Sequence, residues 1–420
     1  MHLILLILVL NLLVGCGPAA FGGSNVPREK SPNVPGEDAR LLVDGNTAFA
    51  LDLYQRLIDD GSNLIYSPYS SSLALAMTYA GARGETEQQI AQVMHFSLPQ
   101  ERLHPAFNAL DQALVSPDNS KSEEGAFQLH IANSLWGQQN YEFLPEFLDT
   151  LSMNYGGGLR MVDFQSSPDV ARQAINDWVS DQTKEIIKDI LPPGSVSVRT
   201  RLALANAIYF KANWLNPFES YRRPDIRFNL LDGSQVIPEM MSLSEELKYA
   251  SGDSYQAVEL PYVPFNGNSL SMIILLPDPG TFAEFERSLD TASLDEIMRS
   301  FLDRNVDLKI PRFEYDSSVN LRNTLSDMGM PDAFNQNNAD FSGMDGTRGL
   351  FIDSVHHKAC IAVDEFGTEA AAATIAIVAQ GIEIFTPEVE LTVDRPFIFL
   401  IRHQETGAIL FMGRVLDPTR

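Results

Sequence analysis

The stretch DEFGTEAAAATIAIVAQG, Asp364 to Gly381, sets four consecutive alanines ahead of a β-branched run and contains no basic residue. The alanines and Glu369 favour helix by intrinsic propensity, whereas Thr374, Ile375, Ile377 and Val378 crowd a helix at Cβ and favour strand. Natural sequences usually agree across levels, so this conflict marks a segment weakly committed to either conformation. With a period of two, Thr368, Ala370, Ala372, Thr374, Ala376 and Val378 share one face and Glu369 points to the other. That face is small enough to enter a packed sheet.

The rest of the chain is ordinary in composition, with 420 residues, 45% apolar and 20% charged, which is enough for a large core. A net charge of −25 repels phosphate backbones, so nucleic acid is not expected as a partner, and neither is polyanionic polysaccharide. Leu3 to Val14 is an apolar run too short to span a bilayer but suited to the core of an export signal. It ends in Leu13-Val14-Gly15-Cys16, which resembles the bacterial lipoprotein box, although no Lys or Arg lies near Met1. The expectation is a signal peptide over 1–15, lipidation at Cys16 and a cell-envelope lipoprotein whose only membrane contact is the lipid anchor. An ordinary secretory peptide is the alternative. Gly17 to Arg40 is rich in proline and glycine and reads as a flexible tether over 16–40. Cys360 is the one cysteine left after Cys16, which rules out an intramolecular disulfide in the processed chain, and its apolar surroundings suit a small core hydrophobe.

From Leu41 onward no linker or repeat interrupts the chain, so 41–420 reads as one domain. Its first half is mainly helical, with Asn46 to Ile58, Ser70 to Ala82, and Pro168 to Thr183 capped by Ser167. The second half reads as short strands: Ser269 to Leu276, Val306 to Ile310, Val389 to Val393, Phe397 to Ile401 and Ile409 to Val415. Segregated helices and strands argue for an α+β fold with antiparallel sheets. No Gly-x-Ser-x-Gly elbow, phosphate loop, His-Glu-x-x-His or Cys-x-x-Cys is present, which speaks against hydrolase, nucleotide and zinc chemistry. His356 and His357 are strand neighbours pointing to opposite faces, a poor arrangement for one metal. No enzyme activity, cofactor or metal is expected.

Several segments together resemble the serpin family over nearly all of 41–420. Asn63 to Ser70 with Ala74 to Met77 and Gly81 to Thr86 resembles its helix B region, and Ala205 to Trp214 its third main-sheet strand. His357-Lys358-Ala359 followed by Glu365 to Thr374 resembles the fifth strand and reactive-loop hinge, while Arg395-Pro396-Phe397 and Phe411 to Arg414 match the C-terminal strands. Ala212 stands where many members have glycine. The resemblance implies a serpin-like fold with a large antiparallel main sheet, further sheets, a helical part and an exposed reactive-centre loop. It also implies a monomeric suicide inhibitor of serine or cysteine proteases that traps the acyl-enzyme when the cleaved loop joins the main sheet.

Carried over by motif, the hinge comprises Glu365, Gly367, Thr368, Glu369, Ala370, Ala371, Ala372, Ala373 and Thr374. The resemblance further implies a polar shutter of Ser67, Ser70, Asn206 and His357, a breach tryptophan at Trp214, and Arg312 as the partner of Glu365. Counting forward from Glu365 places the scissile bond at Gly381-Ile382; counting back from Pro396 places it at Phe385-Thr386. Neither site offers Lys or Arg, so the target protease is expected to be elastase-, subtilisin- or chymotrypsin-like rather than trypsin-like. A non-inhibitory binding or chaperone-like serpin is the alternative. Such proteins usually carry bulky, charged or proline residues in the hinge, where only Phe366 is unusual here.

Overall fold

The computed structural model describes residues 20–21, 24–58, 61–114, 127–157, 159–221, 226–265, 267–368 and 386–420. Long apolar strands that return from distant parts of the chain build two large sheets. The main sheet holds β1 (Ala20–Phe21), β3 (Phe127–Gln138), β4 (Leu159–Val162), β5 (Leu202–Asn213), β13 (Phe313–Asn320), β14 (Ser354–Val363) and β15 (Gly367–Thr368), in the order β1-β4-β3-β5-β15-β14-β13. The second runs β16-β12-β9-β10-β11-β17-β18-β2, with β6 pairing β9. Its strands are β2 (Leu64–Tyr66), β6 (Glu219–Tyr221), β9 (Met240–Ser251), β10 (Tyr255–Pro261), β11 (Leu270–Pro277), β12 (Leu302–Pro311), β16 (Val389–Thr392), β17 (Phe397–His403) and β18 (Ile409–Val415). A separate hairpin joins β7 (Phe228–Asn229) to β8 (Gln235–Val236).

The main sheet is mixed rather than purely antiparallel. β3 and β4 run parallel, and so do β5 and β14. The β5–β14 ladder extends only from Ser354↔Ala203 to Ala359↔Ile208. Parallel pairing is slightly weaker per residue than antiparallel pairing, and this rung-poor line is the seam around which the site is built.

Helices cover both sides of the seam. The first six are α1 (Gly36–Leu57), α2 (Pro68–Tyr79), α3 (Gly84–Val93), α4 (Gln100–Leu114), α5 (Pro145–Tyr155) and α6 (Pro168–Gln182). Every residue of α2 is buried, and the helix packs on β3, β5 and β18, joining the two sheets. Ser67 accepts a hydrogen bond from the Ser70 N–H, and Pro68 occupies the first turn, where its missing N–H costs nothing. On the opposite face α6 sets Ile175 and Val179 over alanines 132, 203, 205 and 207, which keep that side of the sheet shallow. Ser167 precedes α6 as expected, but its side chain makes no capping bond.

The N-terminal segment differs from the tether read from composition. Helix α1 begins at Gly36, with Glu37 and Asp38 favourably placed in its first turn, and Asp38 is buried against Arg102. Arg28 reaches Asp111 on α4 at 2.6 Å, and the Glu29 N–H donates to the Met153 carbonyl on α5 at 3.0 Å. Polar side chains that composition reads as solvated find partners on helix surfaces, so the packed part extends back at least to residue 24. Cys16 and the apolar run before it lie outside the described residues.

Candidate functional site

At the middle of the seam a buried polar chain joins α2 to three strands. The Ser67 N–H donates to His357 Nε2 at 3.0 Å, which leaves the ring proton on Nδ1, where it is donated to Asn206 Oδ1. Asn206 Nδ2 in turn donates to Ser70 Oγ at 2.7 Å and to Asn133 Oδ1. His357 is 1% exposed, and burial pushes its pKa down to about 3, so the imidazole is neutral and accepts from Ser67. The four residues expected to form a shutter are thus in one network. A fifth, Asn133 on β3, was missed; its signal is an asparagine within the strand run Ile131 to Trp136.

Above this network the strands part. Residues 209–211 of β5 and 360–362 of β14 make no ladder to one another, and the two-residue strand β15 wedges in at the top. Gly367 pairs with Asn213 and Thr368 with Ala212 on β5, while Thr368 pairs with Val363 on β14, all antiparallel. A Cβ at Gly367 would come 2.0 Å from the Ala212 carbonyl oxygen, so this close approach requires glycine. Thr368 is 1% exposed, and its hydroxyl lies 2.7 Å from the Tyr262 hydroxyl.

The turn from β14 into β15 is held by Trp214 and its neighbours. Trp214 donates its backbone N–H to Phe366 O at 2.8 Å and its indole N–H to Asp364 O at 3.0 Å, and its ring stacks on Tyr262 with centroids 4.5 Å apart. Asp364 accepts from the backbone N–H groups of Phe366 and Gly367. Glu365 is gripped from two sides: Ser220 donates to Oε1 at 2.6 Å, and Arg312 Nε lies 3.3 Å from Oε2. The arginine side chain is 41% exposed and that of Glu365 11% exposed. Arg312 also pairs with Glu239 at 2.8 Å. The sequence reading missed Tyr262, Ser220 and Glu239, whose distance along the chain from the hinge leaves no local signal.

Glu369, Ala370, Ala371, Ala372, Ala373 and Thr374 of the expected hinge lie outside the described residues, as do Gly381, Ile382 and Phe385 of the two candidate scissile bonds. Thr386 is described and exposed. Among the described residues no group of three or more His, Cys, Asp or Glu side chains could hold a metal ion. Cys360 is half-buried, less enclosed than its apolar run suggests.

A family model described as "Serpin (serine protease inhibitor)" matches residues 44–418. An uncharacterized serpin-like protein of Thermococcus kodakarensis is 37% identical over 94% of this chain and 90% of its own length. The leukocyte elastase inhibitor of Homo sapiens is 38% identical over 90% of this chain and 99% of its own. Among solved structures, the thermophilic serpin tengpin in its native state superposes with a TM-score of 0.78 at 28% identity, covering 96% of this chain and all of that one. Uncleaved ovalbumin superposes with a TM-score of 0.77, also at 28% identity, over 90% of this chain. With a seam bridged at its centre by a polar network and wedged at its top, and with these matches over nearly its whole length, the chain belongs to the serpin family of serine protease inhibitors.

Proposed function

We propose that this chain inhibits an elastase-like serine protease by presenting the segment after Thr368 as bait and then taking it into the seam. The protease serine attacks the scissile carbonyl carbon, the peptide C–N bond breaks, the new amine end leaves, and an ester joins protease to inhibitor. The freed segment then adds as a strand between β5 and β14, a mode of action already known for serpins.

The observation that carries this reading is the register of the wedge. The pairs Thr368↔Ala212 and Thr368↔Val363 define two antiparallel ladders with a common offset. Continued through the alanines, the same count sets Thr374 opposite both Asn206 and His357, the residues whose mutual hydrogen bond spans the closed seam. The other inward positions, Ala370, Ala372 and Ala376, would face apolar neighbours, and Glu369 would face Lys211. Each polar residue of the segment thus meets a polar partner. Insertion replaces one parallel pairing with two antiparallel ones, and at about 1 kcal/mol per new hydrogen bond over a dozen residues the gain is on the order of 10 kcal/mol. That is comparable to the whole stability of a protease.

The lack of Lys or Arg in 364–385, together with the named activity of the human relative, supports elastase-like enzymes over trypsin-like ones. Incubation with elastase, subtilisin, chymotrypsin and trypsin should give a covalent complex that survives SDS with one or more of the first three. Clean cleavage by all of them with no complex would instead favour a non-inhibitory role for the fold.

A further inference from the structure

At the foot of the main sheet, at the opposite end of the seam from the hinge, lies a cleft of about 840 Å³. Its wall carries Arg199, Arg201 and Arg322 against a single acidic residue, Asp353. The chain has 30 Lys and Arg against 55 Asp and Glu, so three arginines around one carboxylate reverse the prevailing charge. The carboxylate is itself engaged: Thr200 donates to Asp353 Oδ2 at 2.5 Å, and Arg322 Nη1 reaches Oδ1 at 3.4 Å. Arg322 is held by the Asp353 and Phe334 carbonyls. Arg201 binds only the carbonyls of Val198 and Thr200, and neither it nor Arg199 has a carboxylate within ion-pair distance among the described residues. The remaining wall is largely polar, including Ser197, Asn335 and Gln336.

The cleft straddles the seam. Arg201 immediately precedes β5, Asp353 immediately precedes β14, and the Asp353 N–H donates to Leu202 O at 3.1 Å across the foot. We propose that this cleft binds a multivalent oxyanion, held by Arg199 and Arg201 on the β5 side and Arg322 on the β14 side, and that the bound anion ties the two strand feet together. Guanidinium forks match phosphate and carboxylate oxygens in pairs, and a concave basic site within an acidic molecule focuses its field on an anion. An anion that binds only the closed seam stabilises it by mass action and slows strand insertion. Binding itself is independent of the inhibitory reading; only the effect on insertion rests on it.

The test is calorimetric titration of the full chain with tripolyphosphate and, separately, with citrate, at constant ionic strength. The double variant Arg199→Ser with Arg201→Ser is titrated alongside, and Arg199→Lys with Arg201→Lys serves as a charge-keeping control. The expected result is 1:1 binding to wild type, weakened at least tenfold in the serine variant and less in the lysine variant. Preference for one titrant tells a phosphate-type ligand from a polycarboxylate. Absence of binding to wild type, or equal binding to the serine variant, overturns the site. A second readout follows conversion to a loop-inserted form on mild heating. Saturating anion should slow it about tenfold in wild type alone, and an unchanged rate despite binding overturns the tie between the strand feet while leaving the inhibitory reading untouched.

Discussion

The two large sheets are built from similar residues yet held in opposite ways. In the second sheet the pairings along β12-β9-β10-β11-β17-β18 are all antiparallel and only the edge pair β12–β16 is parallel, β11 and β17 are almost entirely apolar and buried, and a buried ion pair ties β18 to the helical layer. Arg414 Nη1 sits 3.0 Å from Glu286 Oε1, with the two side chains 3% and 8% exposed, and the Tyr54 hydroxyl donates to the same oxygen. The main sheet has a parallel seam, alanines over one face, and an exchangeable polar network where the other sheet has packed aliphatic side chains. Antiparallel apolar packing on one side and a parallel, polar-bridged seam on the other are what the proposed insertion requires, one half to anchor and one junction to open.

Removing the anchor should have the largest effect. Glu286→Ala removes the carboxylate that pairs with the buried Arg414 guanidinium and accepts from the Tyr54 hydroxyl, which costs about 3–5 kcal/mol. Denaturant unfolding should register that loss, while the ratio of trapped to cleaved product at a permissive temperature stays unchanged. A shift in that ratio would mean that the second sheet takes part in the opening.

Acidification acts on the other side of the comparison. His357 and His356 on β14 have pKa values pushed down by burial to about 3 and about 4, below the ordinary histidine value. Their contribution is complete above about pH 6.5 and is lost as pH falls toward the folded values, because the unfolded chain takes up protons first. At pH 5 this amounts to roughly 2 kcal/mol for each histidine. Thermal unfolding followed from pH 7.5 to 4.5 should show a decline beginning near 6.5, and His357→Gln should make it shallower by one histidine's share. A flat profile in wild type would show that His357 takes up its proton as readily in the folded protein as in the unfolded chain.

The smallest effect belongs to the breach. Glu365→Lys replaces the contact to Arg312 with repulsion and removes the acceptor for Ser220. With Arg312 partly exposed, solvent screening limits the cost to about 1 kcal/mol. Native gels after a heating series should show polymers or a latent form appearing a few degrees earlier than in wild type. Identical onset temperatures would reduce the pair to surface decoration.

Much of this contrast was legible in the chain. The motifs around Ser67, Asn206 and His357 identified residues that meet across more than a hundred positions, whereas the four alanines before a β-branched run, read as weakly committed to either conformation, lie outside the described residues. The strand limits were less clear: β12 begins at Leu302 rather than Val306, because pairing with β9 carries polar residues such as Asp303 and Asn305 into the ladder. Asn133, Tyr262 and Ser220 escaped notice because burial and register, not local pattern, give them their partners. The parallel direction of β14 against β5 is likewise a property of topology and leaves no trace in either strand's sequence. The lipid expected at Cys16 and the bond expected to be cut concern residues outside the described structure.

The central claim is that the seam between β5 and β14 must part for inhibition, and a reversible lock tests it most directly. Lys358 and Ala207 are directly opposed across the parallel ladder, so Lys358→Cys with Ala207→Cys, in a Cys360→Ser background, can bridge the seam with a disulfide. The oxidised protein should be cleaved by a protease that the unlocked protein traps, giving no SDS-stable complex, and reduction should restore trapping. Undiminished complex formation by the fully oxidised protein would contradict insertion between these strands.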